Sequence, residues 1–455
     1  MYQKNVYESA DAATIESINS FCEDYKEFLS AAKTERLAVK ETEKQCRVRG
    51  YKKLEEVDKI CAGTKIYFIN KNKNVVLYNI GKRPLVDGLR ILGAHIDSPR
   101  LDLKQNPLYE SEQFALFDTH YYGGIKKYQY VTVPLAIHGV VCKKDGSSVE
   151  INVGESDADP VLGISDLLIH LSQKQLTNTA DKVVEGENLD VTVGSIPLKD
   201  EKDEPVKKNI LKLLKDKYGI EEEDFVSAEL EIVPAGKARD YGLDRSMIAS
   251  YGHDDRVCAY TSLAALLDAG DCEYTGCCVL VDKEEIGSVG ATGASSAFFE
   301  NTVRALLEKA GEKDVFAVNK TLENSMALSS DVTAAIDPLF TDVASKNNNS
   351  RFNYGIVLEK YTGARGKSGA NDANPEFIAL LRKTFDDADV HFQSGELGKV
   401  DAGGGGTIAY ILAKYNMSVI DAGVAVLNMH SPMEVVAKAD VYETYRAYKA
   451  FLNIV

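Results

Sequence analysis

The residues best suited to chemistry are histidines that stand beside carboxylates where an apolar run ends. The 455-residue chain contains 7 histidines. His95 and Asp97 follow the apolar run 89–94, and in an extended chain residues two apart face the same side. An imidazole that binds a metal needs its other nitrogen held, and a nearby carboxylate does this. An ordinary strand end with a hydrogen-bonded histidine is the alternative interpretation.

Two pairs of acidic residues offer further ligands. Asp254 and Asp255 precede a predicted helix, where capping of its positive end is the alternative to metal binding. Glu284 and Glu285 follow the apolar run 277–281, which is typical of a buried strand. One glutamate can bind a metal while its neighbour, aimed differently by the backbone, accepts a proton. A solvated turn is the alternative for this pair.

Two more polar segments, 329–332 and 428–434, contribute Asp331 and His430. Together the clusters offer the histidines, aspartates and glutamates of a two-metal site, in which divalent ions lie about 3.5–4 Å apart. Such ions lower the pKa of a shared water, and a spare carboxylate accepts its proton. Scattered ligands follow no spacing rule, so the sequence by itself does not prove that they meet.

Other catalytic motifs are missing from the sequence. It contains neither His-Glu-x-x-His nor Gly-x-Ser-x-Gly, which argues against a helix-borne zinc protease site and a serine hydrolase. The segment 363–368 resembles the end of a phosphate-binding loop, but Tyr361 occupies the first glycine position. The glycine run 403–406 either binds an anion at a helix start or permits a close backbone approach.

The composition excludes several classes of protein. Hydrophobic residues make up 44% and charged residues 27%, values typical of a soluble globular protein. The net charge of −16 predicts no nucleic-acid partner and no anionic membrane partner. No run of about 18 apolar residues occurs, so no membrane-spanning helix is expected. Eight scattered cysteines, without a Cys-x-x-Cys pair or a signal peptide, predict reduced thiols and a cytoplasmic location.

The elements that must position these residues follow an alternating pattern. Strands that alternate with helices predict an α/β fold, with a central mixed, mainly parallel sheet flanked by helices. Apolar residues at helical spacing favour two helices within 11–62. The sequence pattern of residues 105–235 differs from that of the rest of the chain, because strand-like segments there accompany a charged helix. We therefore predict a main domain formed by 1–104 and 236–455, with an inserted domain at 105–235.

Five short segments resemble the motifs of the aspartyl-aminopeptidase family of dinuclear zinc exopeptidases, which includes a vacuolar aminopeptidase of yeast. In family order, the segments are 93–100 (Gly-Ala-His-Ile-Asp-Ser-Pro-Arg), 254–256 (Asp-Asp-Arg), 284–288 (Glu-Glu-Ile-Gly-Ser), 330–331 (Ser-Asp) and 429–431 (Met-His-Ser). The resemblance implies that the main domain is a metallopeptidase catalytic domain of the zinc-exopeptidase type. It implies that the insertion is a mainly-β dimerisation domain whose dimers assemble into a homo-oligomer, a dodecamer.

The resemblance also implies a role for each candidate site residue. His95 would bind one metal ion, and Asp97 would orient its ring. Asp254 would bridge the two ions, and Glu284 would be the general base. The remaining ligands would be Glu285, Asp331 and His430. The ions are expected to be zinc, with cobalt or manganese as alternatives.

The expected specificity region departs from the family pattern. Residues 360–373 match the animal enzymes poorly, and Asp255 stands where animal members have asparagine. The cations available to an acidic substrate side chain are Lys360, Arg365 and Lys367. The preferred first residue therefore stays open between acidic Asp or Glu and a neutral residue such as Leu. His170, in the insertion, is the candidate that reaches a neighbouring active site, with packing at an interface as the alternative.

We therefore predict a metal-dependent aminopeptidase that hydrolyses the N-terminal residue from peptide substrates. A related two-metal deacylase or carboxypeptidase is one alternative, because it would use similar ligands. A non-catalytic self-assembling particle that retains the fold is the other. The presence of Glu284 together with all the expected ligands argues against such a particle, since a scaffold needs none of them.

Overall fold

The computed structural model describes residues 4–363 and 366–455, so Arg365, one of the predicted cations, lies outside the described residues. These residues fall into two compact units. The first unit comprises the described residues up to Asp97 together with Ala238–Met429 and Glu434–Val455. The second comprises Ser98–Lys237 and His430–Met433.

Helices and strands alternate along the described chain. The helices are α1 (Val6–Ser9), α2 (Ala12–Ala31), α3 (Glu35–Val48), α4 (Pro205–Tyr218), α5 (His253–Leu267), α6 (Phe298–Ala310), α7 (Ala317–Glu323), α8 (Pro375–Asp387), α9 (Ala409–Ala413) and α10 (Lys438–Leu452). The strands are β1 (Lys52–Lys53), β2 (Lys65–Asn70), β3 (Asn74–Asn79), β4 (Leu89–His95), β5 (Arg100–Ser111), β6 (Phe114–Tyr122), β7 (Leu135–Cys142), β8 (Ser148–Val153), β9 (Val191–Gly194), β10 (Ala228–Pro234), β11 (Arg239–Tyr241), β12 (Met247–Ser250), β13 (Thr275–Val281), β14 (Met326–Ser329), β15 (Thr333–Ala334), β16 (Ile356–Glu359), β17 (Phe392–Ser394), β18 (Ser418–Gly423), β19 (Ala425–Leu427) and β20 (Glu434–Ala437).

The first unit is built on a nine-stranded sheet in the order β1-β2-β3-β13-β4-β14-β18-β16-β17. Strand β4 runs parallel to β13 on one side and to β14 on the other, and β14 runs parallel to β18. Strands β4 and β13 are buried along their whole length, as near-continuous apolar runs in a covered parallel sheet should be. The carboxyl ends of these four strands therefore meet at one edge of the sheet, where sites form in α/β proteins.

Helices cover both faces of this sheet. Successive residues of β4 point to opposite faces, so Ile91 and Leu92 belong to different apolar clusters. Helices α2, α3, α5, α8 and α10 pack in the cluster that contains Leu92, and α6, α7 and α9 pack in the one that contains Ile91. A second sheet of this unit, in the order β11-β12-β20-β19-β15, has five short strands.

The second unit has its own sheet and its own core. Its six strands lie in the order β8-β7-β10-β5-β6-β9, and every neighbouring pair is antiparallel. Helix α4 buries Val206 and Ile210 in an apolar cluster with residues of these strands.

The structure confirms the predicted mixed α/β fold and changes some element boundaries. The helices expected within 11–62 end at Val48, because Gly50 takes a φ of +85° that closes the helix. Lys52 and Lys53 then join the nine-stranded sheet. In the described part of the chain, none of the helices combines the length and the apolar character needed to cross a bilayer.

Candidate metal centre

Three neighbouring strands of the nine-stranded sheet deliver polar side chains to its carboxyl edge. His95 ends β4, Glu284 and Glu285 follow β13, and Asp331 follows β14. Because these strands are adjacent and parallel, side chains that are far apart in sequence are brought close together.

His95 is the centre of the first group of candidate ligands. It is 2% exposed, and its Nε2 lies 3.1 Å from Asp254 Oδ1 and 3.8 Å from Asp331 Oδ1. Its Nδ1 lies 3.0 Å from the Asp97 carbonyl oxygen and 3.4 Å from the Asp97 carboxylate. Asp97 thus holds one ring nitrogen, while the other faces two carboxylates. One ligand atom each of His95, Asp254 and Asp331 lies within 4.8 Å of the others.

The group carries an excess of buried negative charge. Burial lowers the pKa of the His95 imidazole, but hydrogen bonds to the surrounding aspartates outweigh burial and hold that pKa well above its usual value. Burial also raises the pKa of the Asp331 carboxyl, although the His95 ring lowers it. Buried carboxylates that face one another in this way are unfavourable unless a cation offsets them. The donors present, imidazole nitrogen and carboxylate oxygen, are those that zinc binds in proteins.

Asp254 belongs to a second pairing as well. One of its carboxylate oxygens lies within 4.8 Å of a Glu285 carboxylate oxygen. Although helix α5 formally begins at His253, the backbone at Asp254 and Asp255 is not helical. The Asp254 N–H donates to Glu434 Oε2 at 2.9 Å, and Asp255 Oδ2 accepts the His95 N–H at 3.4 Å. These contacts fix Asp254 between His95 and Glu285.

Asp97 also fixes the turn that carries the two glutamates. Its two carboxylate oxygens accept the backbone N–H groups of Glu284 at 3.1 Å and of Glu285 at 3.2 Å. The turn Glu284–Ile286 begins after Lys283, whose φ is +69°. Burial raises the pKa of the Glu284 carboxyl to about 8, against the opposing effect of nearby His95. A single buried carboxylate therefore orients both the candidate histidine and the candidate base.

The start of α5 is anchored by a buried arginine. Arg256 Nη1 donates to the Ala32 carbonyl at 2.7 Å, and its Nε donates to the Gly252 carbonyl at 3.2 Å. Gly252 has a φ of +77°, and a Cβ at this position would lie 2.1 Å from Arg256 Nη2. The glycine thus lets the arginine fold back under the turn that precedes Asp254.

Three more predicted site residues are His430, His170 and Lys367. His430 belongs to the second unit, where its Nδ1 lies 2.9 Å from the Gly124 carbonyl oxygen. His170 is exposed, in the short turn Ile169–Leu171 of the same unit. Lys367 pairs with Asp372 at 3.0 Å and lies over the Tyr361 ring.

Lys360 lines a cavity of about 770 Å³ at the β16–β17 edge of the nine-stranded sheet. Arg382, Asp386 and Glu396 are among its charged lining residues. The described lining includes none of the predicted metal ligands. In the glycine run, a Cβ at Gly403 would be 2.4 Å from the Leu397 carbonyl oxygen. The close-approach interpretation of that run is therefore the one that its surroundings support.

Sequence reasoning gave no role to Glu434 or Arg256, although Glu434 ends the polar segment 428–434 and Arg256 ends the motif 254–256. Glu434 accepts the N–H of a residue 180 positions earlier in the chain, and Arg256 reaches a carbonyl on the α2–α3 connection. Motif spacing carries no information about such partners. Their position in segments already selected as candidate ligand segments was the signal that could have indicated a role at the site.

Comparison with known proteins agrees with this geometry. A family model described as aminopeptidase I zinc metalloprotease (M18) matches residues 28–452. The probable M18 family aminopeptidase 1 of Clostridium acetobutylicum is 56% identical over 455 residues, which are 99% of this chain and 98% of that protein. The crystal structure of an M18-family aminopeptidase from Thermotoga maritima superposes with a TM-score of 0.97 at 46% identity, covering 100% of both chains. A dodecamer of yeast mApe1 has the same fold, with a TM-score of 0.77 at 21% identity and 96% and 97% of the two chains covered. The chain belongs to the M18 family of aminopeptidase I zinc metalloproteases.

Proposed function

We propose that this aminopeptidase removes the N-terminal residue of peptides at a centre of two divalent ions on the carboxyl edge of the nine-stranded sheet. The proposal rests on one observation, which is that Asp254 belongs to two groups of candidate metal ligands. Its carboxylate lies beside His95 and Asp331 in one group and beside Glu285 in another. A carboxylate shared between two ligand groups is the arrangement that bridges two metal ions.

The proposed ligands fall into two sets that share this residue. His95, Asp254 and Asp331 would hold one ion, and Asp254, Glu285 and His430 would hold the other. His430 Nδ1 faces a backbone carbonyl, which makes Nε2 the nitrogen that a metal would take. Zinc suits this mixture of imidazole and carboxylate, and cobalt or manganese would compete for the same donors.

The proposed mechanism divides the work among the side chains. Bound divalent ions would polarise the scissile carbonyl and lower the pKa of the attacking water. Glu284 would accept the proton of that water and return it to the departing amine. Asp97 would hold the His95 ring on one side and the Glu284–Glu285 backbone on the other. The orientation of the ligand His95 and the position of the base Glu284 would thus both depend on the buried Asp97 carboxylate.

The variant Glu284→Gln tests the role of the base. We expect it to retain its bound zinc, because Glu284 is not a ligand, and to lose about 10²–10⁴-fold in kcat. Elemental analysis and steady-state kinetics of the same preparation measure both quantities. Glu308→Gln, an exposed glutamate near the end of α6, is the matched control. Near-normal turnover in Glu284→Gln would contradict the assignment.

We further propose that neutral first residues such as leucine are preferred over acidic ones. Lys367 is already paired with Asp372, and Lys360 lines a cavity whose described lining includes none of the proposed ligands. Burial raises the pKa of the Glu359 carboxyl to about 8 and that of the Asp421 carboxyl to about 7, and Asp331 adds to both shifts, so these groups offer no positive charge to an acidic substrate side chain. A series of peptides that differ in the first residue, with N-acetylated controls, ranks these preferences. Cleavage of the acetylated peptides would favour a deacylase or endopeptidase instead.

The domain roles and the assembly are also part of the proposal. The first unit would be the catalytic domain, and the second would be the dimerisation domain of a homo-oligomer like the yeast dodecamer. Exposed apolar side chains within 161–176 support this role for the second unit. A cytoplasmic location is proposed because all 8 cysteines, which lie within the described residues, are free thiols.

A further inference from the structure

A cluster of buried charges lies behind the turn that carries Glu284. Lys73, between β2 and β3, has its Nζ 2.7 Å from Glu35 Oε1 and 3.8 Å from Asp282 Oδ2. Glu35 and Asp282 are 0% exposed and Lys73 is 8% exposed. The Lys73 ammonium thus lies between two carboxylates that are shielded from water. A second ammonium, that of Lys283, lies 3.6 Å from Asp282 Oδ2, but its side chain is 27% exposed. Removal of Lys73 would leave the buried Asp282 carboxylate paired with this more exposed cation.

Asp282 is held in place by hydrogen bonds just before the Glu284–Ile286 turn begins. It follows the final residue of β13, and its N–H donates to the Thr292 carbonyl at 3.3 Å. Its Oδ2 accepts the Thr292 hydroxyl at 2.6 Å. Lys283 then takes a φ of +69°, and the chain turns into Glu284. A shift of Asp282 would therefore be passed directly to the Glu284 and Glu285 side chains.

The β2–β3 hairpin contacts the other end of the loop that runs from Asp282 to Thr292. Asn74 Nδ2 donates to the Thr292 carbonyl at 2.9 Å, and Asn70 Nδ2 donates to the Ala291 carbonyl at 2.8 Å. These neutral contacts keep the hairpin against the loop whatever the charge state of the cluster. Lys73 adds the one charged link in this group between the hairpin and the residue that opens the turn.

We propose that Lys73 is a positioning residue for proton transfer, acting through Asp282 on the Glu284–Ile286 turn. This inference rests on the proposed role of Glu284 as the base. Without the ammonium, two buried carboxylates repel each other, and Asp282 moves toward water because that lowers its desolvation cost. The turn moves with it, and the alignment of Glu284 with the reacting water is lost. A displacement of about 1 Å at this distance from the chemistry costs on the order of 10²-fold in rate.

The test compares Lys73→Met, Lys73→Arg, Asp282→Asn and the double variant Lys73→Met/Asp282→Asn in the full-length zinc-loaded protein. We expect Lys73→Met to lose roughly 10- to 100-fold in kcat, with KM for a leucyl peptide almost unchanged. Lys73→Arg should recover most of this loss, because it keeps the positive charge. The double variant should lose less kcat than Lys73→Met alone, because it removes the Asp282 charge together with the Lys73 cation that offsets it. Lys82→Met, which breaks an exposed pair with Glu273, is the control and should keep its kcat.

Zinc content and unfolding temperature are measured on each preparation, so that a defect in loading or folding is seen directly. A Lys73→Met protein that is folded, loaded and fully active overturns the proposal. An equal loss of kcat in Lys73→Met, Lys73→Arg and the double variant also overturns it, since charge would then be irrelevant. If Lys73→Met does not fold, Lys73→Arg is compared with Asp282→Asn instead. A loss of kcat that is confined to Asp282→Asn supports the proposal. An unchanged kcat in both variants contradicts it. Glu284→Gln is the reference: if it is also fully active, the proposed function fails rather than the positioning role.

Discussion

Asp254 differs from the other candidate ligands because two groups of donors share it. Its carboxylate is grouped with His95 and Asp331 on one side and lies near Glu285 on the other. Loss of a shared ligand should weaken both metal positions, whereas loss of an unshared ligand should weaken one. We therefore expect Asp254→Ala to lose most of its zinc and Asp331→Ala to retain about one ion per chain.

Elemental analysis after gel filtration measures both stoichiometries. Asp255→Asn is the matched control, since an amide oxygen can still accept the His95 N–H that Asp255 accepts now. Equal metal content in Asp254→Ala and Asp331→Ala would argue against a bridging role for Asp254.

At the scale of elements, the start of α5 depends on a glycine that no other residue can replace without strain. Gly252 combines a φ of +77° with a position where a Cβ would lie 2.1 Å from Arg256 Nη2. Gly270 has a similar φ of +70°, but nothing lies within 4 Å of its Cβ position. Gly270→Ala should therefore lose about 1–2 kcal/mol of unfolding free energy from backbone strain alone.

Gly252→Ala should lose clearly more, because the buried Arg256 must also leave its two carbonyl partners. Urea denaturation of the two variants isolates this packing contribution, since the backbone strain is common to both. A similar loss in the two variants would mean that Arg256 moves away at no cost.

The same elements show what the sequence can reveal and what it cannot. The apolar run of β4 predicted a buried strand that ends in His95 and Asp97, because burial and the polar end are both local properties. The mixed α/β fold followed from the alternation of such runs. The contacts of Glu434 with Asp254, and of Lys73 with Asp282, join distant segments and have no local signature. The resemblance to a family, rather than periodicity, supplied the expected ligand set.

At the scale of the whole molecule, family membership and aminopeptidase activity are confirmed by the family model and the close relatives, and assembly is the next question. Ile169 and Leu171 flank His170 in the second unit and are 66% and 67% exposed. Large apolar side chains that are exposed next to one another mark a surface that binds a partner. We expect Ile169→Asp/Leu171→Asp to shift the protein to smaller assemblies, as measured by light scattering after gel filtration.

Val48→Asp, at an isolated apolar side chain that is 83% exposed, is the control and should leave the mass unchanged. The variant His170→Ala then separates the two interpretations of that histidine. If His170 reaches a neighbouring active site, His170→Ala keeps the native mass and loses kcat, and the dissociated double variant loses kcat to a similar degree. If His170 only packs at the interface, His170→Ala retains kcat wherever the assembly is intact, because the chemistry then needs no residue from a second chain.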